Sequence, residues 1–197
     1  MCVSSIPTAI LIDNMYVEHS ANVFKVGKLD PRKFPKMFLR PDETHHMTYI
    51  FDALPFVPHR GATKRQIDLR QGKRSYLDAL QYYERVNVEL GYVKPRRTTC
   101  HSCGVEFEVP VQKLVDVKIS VRLVSLAWME IVKKIVLVSG DGDLIPAVEA
   151  AKPTGTIVRL EYVEEGDIRT NKGLIKMCQE KHRLSREDFL KAVFETE

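Results

Sequence analysis

The sequence lacks the features that mark membrane proteins, disulfide scaffolds and disordered chains. No uninterrupted apolar run approaches the ~20 residues of a membrane span, and no signal-peptide pattern opens the chain. Four cysteines in 197 residues are too few for a disulfide-dense fold, and 44% hydrophobic residues are too many for intrinsic disorder. The formal charge of +4 is too small to indicate nucleic acid by itself. We therefore expect a cytoplasmic globular protein without membrane contacts.

Two kinds of apolar pattern alternate along the chain. Short apolar runs predict strands at 8–12, 47–51, 86–93, 134–139 and 156–162. Apolar residues at helical spacing predict helices at 66–83, at 115–131 and from the turn after 139 to about 151. Strands that alternate with helices in this way predict an α/β fold with a mostly parallel central sheet. The length suits one large domain, or one domain with a small insertion.

Three segments depart from this alternation. Residues 94–110 contain a C-x-x-C turn followed by alternating apolar residues, which predicts an inserted knuckle and hairpin arm. The C-terminal segment 180–197 is predicted to be helical. Ser185 and Asp188 form a capping pattern at which a helix begins. Residues 20–45 are predicted to be a loop with some helix.

Acidic residues follow two predicted strands where each strand ends. Asp13 ends the first strand, and Asp141 and Asp143 follow the strand at 134–139, separated by glycine. If these strands are neighbours, the carboxylates converge at the carboxyl edge of the sheet, where parallel sheets bind ligands. Converging carboxylates favour a cation, and oxygen donors without clustered His or Cys favour Mg²⁺ or Mn²⁺. The structural alternative is that each Asp caps the helix that follows.

Four segments resemble, in order, the successive motifs of the NYN domain family, most closely its LabA-like branch. They are Ile12-Asp13-Asn14-Met15-Tyr16, Tyr49-Ile50-Phe51-Asp52-Ala53-Leu54-Pro55, Val111-Gln112-Lys113-Leu114-Val115-Asp116-Val117 and Val138-Ser139-Gly140-Asp141-Gly142-Asp143-Leu144-Ile145-Pro146. The resemblance implies one domain over residues 1–197, with a three-layer PIN-like fold and metal-dependent ribonuclease activity. It implies that Mg²⁺ or Mn²⁺ is held by four catalytic acids, namely Asp13, Asp116, Asp141 and Asp143. Asn14 and Ser139 are implied as supporting polar groups.

One position departs from the family pattern. Family members carry a further Asp six residues after the one that Asp116 matches, and this sequence has Arg122 there. Six helical residues correspond to ~9 Å of rise and ~120° of rotation, so the two positions need not contact the same metal. Three alternatives stay open: Arg122 binds a phosphate, it pairs with a neighbouring carboxylate, or it marks weakened catalysis.

Two basic stretches could supply the cationic surface that RNA requires. One lies on or before the helix at 66–83 and the other precedes the knuckle. Their members are Lys64, Arg65, Arg70, Lys73 and Arg74 in the first stretch, and Lys94, Arg96 and Arg97 in the second. A charged stretch on a helix is also typical of a solvated face, so phosphate contact and plain exposure are both open.

The pair Cys100 and Cys103 resembles half of a zinc ribbon. A structural zinc needs four ligands, and the second C-x-x-C pair is absent from the sequence. Cys2 and Cys178 could complete the site, or the knuckles of two protomers could form a Cys₄ site in a homodimer. The remaining alternative is a turn with two free thiols.

These observations predict a metal-dependent nuclease that hydrolyses RNA phosphodiester bonds at the carboxyl edge of the sheet. The alternative is a non-catalytic RNA-binding or scaffold protein whose nuclease site is degenerate at Arg122. A phosphotransferase of the haloacid-dehalogenase type would need a D-x-D-x-[TV] motif after the first strand. That motif is missing, because Met15 stands where its second Asp would be.

Overall fold

The computed structural model describes residues 5–58 and 60–194. Its strands are β1 (Ile6–Asp13), β2 (Glu43–Asp52), β3 (Val86–Leu90), β4 (Tyr92–Thr99), β5 (Glu106–Lys113), β6 (Lys134–Val138), β7 (Ile157–Tyr162) and β8 (Glu180–Arg183). Its helices are α1 (Asn14–Val23), α2 (Lys64–Leu80), α3 (Val115–Trp128), α4 (Ile145–Ala151), α5 (Lys172–Met177) and α6 (Arg186–Leu190). Short 3₁₀ turns lie at Pro35–Phe38, Gly142–Leu144 and Lys152–Thr154. Among the described residues, no helix has the length and apolar content to cross a membrane.

The larger sheet has six parallel strands in the order β3-β2-β1-β6-β7-β8. The chain moves outward from β1 through β2 to β3 and then returns to β6 on the other side of β1. This reversal creates a crevice at the carboxyl ends of β1 and β6, the usual ligand position in such sheets. Ile12 pairs with Val138, so Asp13 and Ser139 follow neighbouring strands at the same level.

Helices cover both faces of this sheet. Leu11 points to one face and belongs to a buried cluster with Ile119 of α3. Ile12 points to the other face and belongs to a cluster with Val17 of α1 and Leu77 of α2. Successive strand residues face opposite sides, so a continuous apolar run serves both clusters. The predicted α/β sandwich with a PIN-like arrangement of three layers is confirmed.

The hairpin arm is longer than the predicted segment 94–110. The predicted strand 86–93 ends at Leu90, and β4 begins after Gly91 and pairs antiparallel with β5 as a separate sheet. A Cβ at Gly91 would lie 2.4 Å from the Lys113 carbonyl oxygen, so only glycine permits the chain to turn here. The arm therefore spans 92–113, with the C-x-x-C turn at its tip.

The prediction of a helix over 180–197 is wrong for its first part. Residues Glu180–Arg183 form β8, which pairs with the edge strand β7. Helix α6 then begins after Ser185, whose side chain and that of Asp188 form the predicted capping box. The helix ends at Leu190 because the chain turns to form a bridge between Val193 and Leu29. Residues 195–197 lie outside the described part of the chain.

The apolar pattern alone does not reveal α1 and α5. In α1 the only fully buried large apolar side chain is Val17, so the apolar stripe is too narrow to read. Helix α5 has six residues and one fully buried member, Leu174. Both helices are opened by side-chain caps, Asp13 for α1 and Asn171 for α5, and tertiary packing stabilises the rest.

Candidate active site

Asp13 and Asn14 lie where β1 passes directly into α1. Asp13 caps the helix, since its Oδ1 accepts a hydrogen bond of 3.2 Å from the Tyr16 backbone N–H. The Ser139 hydroxyl, at the end of β6, donates to Asp13 Oδ2 over 3.5 Å and accepts the Asp141 backbone N–H at 3.3 Å. The expected capping role of Asp13 is therefore real, and the same carboxylate also faces the crevice between β1 and β6.

Asp141 and Asp143 lie in a tight turn after β6. Gly140 precedes Asp141 and Gly142 separates the two acids, and neither position has room for a side chain. A Cβ at Gly140 would lie 2.9 Å from Tyr16 Cε2, and one at Gly142 would lie 2.3 Å from Asn171 Nδ2. Asp141 Oδ1 accepts the Asp143 backbone N–H at 2.9 Å and so caps the 3₁₀ turn. The glycines bring the turn against its neighbours and leave both carboxylates at the crevice.

The electrostatics of Asp13 show that acids from separate elements converge. Burial raises the pKa of the Asp13 carboxyl to about 6, and the charges of Asp116, Asp52 and Asp141 push it in the same direction. The Tyr16 N–H opposes this effect. Burial also raises the pKa of Asp116, followed by repulsion from Asp141 and Asp143. The four acids predicted from the sequence therefore share one electrostatic environment.

The set of donors fits a hard divalent cation by its chemistry. Carboxylate oxygens from Asp13, Asp116, Asp141 and Asp143 are the ligands that Mg²⁺ and Mn²⁺ prefer. Their mutual repulsion is a cost that a cation would relieve. As the side chains stand, however, no three His, Cys, Asp or Glu side chains within residues 5–58 and 60–194 are close enough to hold one ion.

A second set of polar and charged residues lies beside these acids. The sequence predicted Asn14 in it as a supporting residue and Lys73 as an RNA contact, but not Asp52 or Glu18. Asp52, at the end of β2, is 3% exposed, and its Oδ2 accepts from Asn14 Nδ2 at 2.5 Å and from Lys73 Nζ at 2.8 Å. Glu18 Oε1 accepts from the same two donors. Asp52 also follows a strand, so the rule that identified Asp13 would have found it. We call Asn14, Asp52 and Lys73 the buried charge group, and Glu18, whose side chain is 48% exposed, lies at its edge.

The predicted RNA-binding cations differ in what they contact. Lys64, Arg65 and Arg74 are exposed on or near one helix surface, and Arg96 and Arg97 are exposed on the hairpin arm. Lys73 differs from these, because its side chain is only 15% exposed and is held by Asp52 and Glu18. Arg70 donates to the Pro55 carbonyl oxygen at 2.8 Å.

Arg122 pairs with a neighbouring carboxylate, which is one of the three alternatives for this position. Its Nε and Nη2 donate to Glu89 Oε1 at 2.9 and 2.6 Å, and its guanidinium lies 4.6 Å from the centre of the Tyr49 ring. Glu89 belongs to β3, on the far side of β2 from β1. The guanidinium thus holds α3 against the outer strands of the sheet.

The three cysteines in the described part of the chain do not come together as a zinc site. Cys100 and Cys103 lie at the tip of the arm. Cys178 is 3% exposed and packs in the buried cluster that contains Leu11 and Ile119. Burial raises the pKa of the Cys178 thiol to about 11, which disfavours the thiolate that binds metal. Hydrogen bonds from the Ser102 backbone and from Cys103 lower the pKa of Cys100. Cys2 lies outside the described residues.

Comparison with known families agrees with this geometry. The chain matches the NYN domain over residues 7–184. This range contains Asp13, Asp116, Asp141 and Asp143 as well as the hairpin arm. The match is to the family as a whole, so the LabA-like branch stays a prediction. No curated protein matches the chain. With its six-stranded parallel sheet, its helices on both faces and this match, the chain belongs to the NYN domain family of PIN-like nucleases.

Proposed function

We propose that the chain is a metal-dependent ribonuclease that hydrolyses RNA phosphodiester bonds. The proposed site is the acidic cluster, by which we mean Asp13, Asp116, Asp141 and Asp143. The observation that carries the proposal is the placement of Asp13 and Asp141 at adjacent strand ends, where the Ser139 hydroxyl bonds to the Asp13 carboxylate and to the Asp141 N–H. The raised pKa of Asp13 agrees with acids from neighbouring elements around this crevice. Membership of a nuclease family makes RNA the natural substrate.

The acidic cluster would hold Mg²⁺ or Mn²⁺. A bound divalent ion supplies an activated water and neutralises the charge that develops on the phosphoryl group. Ser139 ties the two sides of the crevice together, since its hydroxyl bonds both to Asp13 and to the Asp141 backbone. The buried charge group is a positioning device, because the Asn14 amide is fixed between Asp52 and Glu18 directly after Asp13.

The cationic surface for RNA would come from the exposed members of the two basic stretches. Lys64, Arg65, Arg74, Arg96 and Arg97 are open to solvent and are available to phosphates. Lys73 acts differently, as the counterion of Asp52. Arg122 is bound to Glu89, so its guanidinium does not occupy the acidic cluster. The family acid at this position is still absent, and the cleavage assay below decides between the nuclease and the scaffold alternative.

The test is cleavage of single-stranded and structured RNA in the presence of Mn²⁺. We expect wild-type cleavage that EDTA abolishes, and a loss of about 10²–10³-fold for Asp141→Asn, because one charge-stabilising ligand is removed. Asp167→Asn, an exposed acid that pairs with His19, is the matched control and should cleave normally. Cleavage that survives in Asp141→Asn would place the chemistry elsewhere, and RNA binding without any cleavage would favour the scaffold alternative.

We further propose that the hairpin tips of two protomers share one structural zinc through Cys100 and Cys103. The lowered pKa of Cys100 supports this, since thiolates are the form that binds zinc. We expect about half a zinc ion per chain in protein purified without added metal. Cys100→Ser should remove the zinc and yield monomers in size-exclusion chromatography, whereas Cys178→Ser should change neither. Zinc-free wild-type protein contradicts the proposal.

A further inference from the structure

A wide groove separates α1 from α2 beside the acidic cluster. The two helices flank a cavity of about 1060 Å³, at the upper end of the roughly 300–1,000 Å³ of ordinary ligand pockets. Val17 and Ala21 of α1 line one wall, and Leu69, Gly72 and Tyr76 of α2 line the other. These residues recur at three- and four-residue spacing, so each helix turns one continuous face toward the groove.

The groove is open because its walls carry small side chains at the centre. A Cβ at Gly72 would meet no atom within 4 Å, although glycine is unfavourable in the middle of a helix. Leu69 beside it is 56% exposed, which is unusual for a large apolar side chain with a cavity to fill. The floor is apolar and includes Phe34, which is 4% exposed. Gly72 and Ala21 thus leave the centre of the groove unfilled.

The rim of the groove carries more positive than negative charge. Lys28, Lys64 and Arg65 line it together with one acid of the same helix, Asp68. The Lys28 ammonium lies 5.9 Å from the centre of the Tyr76 ring. The Tyr76 hydroxyl is protonated at neutral pH, as for any tyrosine, and can donate. Burial, followed by the charges of Glu18 and Asp52, raises its pKa further, to about 12. The groove therefore combines an apolar floor, a hydroxyl donor and a cationic rim.

One end of the groove is the buried charge group itself. Asn14, Glu18 and Lys73 line the cavity. Asn14 and Lys73 donate to Asp52, whose charge acts on Asp13, and Glu18 accepts from the same two donors. A ligand in the groove would thus lie beside the acidic cluster. An apolar peptide would use the floor but not the cations, whereas a nucleotide uses both.

We propose that this groove binds a nucleoside of single-stranded RNA next to the scissile phosphate, with the base on the apolar floor and the adjoining phosphates at Lys28, Lys64 and Arg65. The inference rests on the proposed function, since it assigns the groove to the same substrate. Because unpaired bases are exposed in single strands only, the groove selects single-stranded over duplex RNA.

The first test measures binding without cleavage. A short fluorescent 2′-O-methyl RNA, which resists cleavage, is titrated in EDTA and followed by anisotropy. We expect Gly72→Leu to weaken binding by about tenfold or more, because leucine fills the place of the base and one stacked base contributes that much. Gln71→Leu adds the same side chain at an exposed position outside the groove and should bind like wild type. Leucine favours helix more than glycine, so the melting temperature of Gly72→Leu should not fall.

The second test locates the base. RNA with 5-iodouridine is cross-linked in ultraviolet light, and we expect the modified peptide to contain Tyr76. Unchanged affinity in Gly72→Leu, or cross-links confined to the hairpin arm, would overturn the groove as the binding site, even if wild-type cleavage upholds the nuclease. Groove binding without cleavage under any divalent ion would instead refute the nuclease and leave the groove supported. A groove that binds an apolar peptide but no RNA also overturns the inference.

Discussion

Asp13→Asn is expected to abolish RNA cleavage and, at the same time, to stabilise the metal-free protein. The substitution removes one charge of the proposed metal site, for which we expect a loss of about 10³-fold or more in cleavage. Asparagine caps a helix about as well as aspartate, so the bond from the Tyr16 N–H can be kept. The substitution removes the unfavourable free energy of a buried carboxylate that Asp116, Asp52 and Asp141 repel.

The sign of the stability effect follows from the pKa. Asp13 has a pKa of about 6 in the fold against an ordinary value of 3.8, so the folded protein binds the proton more tightly than the unfolded chain. Stability therefore falls as the pH rises through this interval, and the full cost is present above it. We expect Asp13→Asn to be more stable by about 1–3 kcal/mol at neutral pH, and the difference to vanish below about pH 4.

Urea unfolding in EDTA measures this gain, and the shift of the melting temperature on adding Mn²⁺ measures metal binding. Wild type should be stabilised by Mn²⁺, and Asp13→Asn should respond much less. Asp78→Asn, an exposed acid on α2, is the control and should match wild type in cleavage, stability and metal response. A variant that is less stable than wild type in EDTA would show that Asp13 serves the fold as a cap more than it strains it.

Arg159→Met is expected to destabilise the protein by about 3–5 kcal/mol. Arg159, in β7, is 0% exposed and binds Glu161 through Nε at 2.8 Å, Glu43 through Nη1 and the Phe38 carbonyl through Nη2. Burial acts to raise the pKa of Glu43, but hydrogen bonds, above all from Arg159, outweigh it and keep that pKa below its ordinary value. Removing the guanidinium takes a positive charge and hydrogen bonds away from the buried carboxylates of Glu43 and Glu161.

Equilibrium unfolding at neutral pH tests this expectation. Arg183→Met is the matched control, because Arg183 is 56% exposed and pairs with Glu165 at 3.8 Å on the surface, where such pairs contribute about 0–1 kcal/mol. The deficit of Arg159→Met should shrink in mild acid, since protonation relieves the unpaired carboxylates. A loss no larger than that of Arg183→Met would mean that Lys134, which also binds Glu43, compensates for the missing charge.

The sequence by itself determined the fold class and the place of the acidic cluster. Continuous apolar runs such as 135–138 are buried on both faces, as is typical of the central strands of a parallel sheet. Asp13 and Asp141 follow two such runs, and the carboxyl ends of parallel strands meet at one edge. These properties are local, so spacing along the chain was sufficient to find them. The same local rule covers Asp52, which ends β2 at the same edge of the sheet.

Only the tertiary structure decided which charges meet. Lys73 pairs with Asp52 and Glu18, and Arg122 pairs with Glu89, across separations that no local pattern encodes. The groove between α1 and α2 depends in the same way on how two helices pack. The sequence does not show whether a charged side chain faces solvent or a buried partner. Its electrostatic free energy depends on the neighbours that it acquires when the chain folds. For this reason the sequence located the acids of the proposed site, while the structure showed which cations pair with which carboxylates.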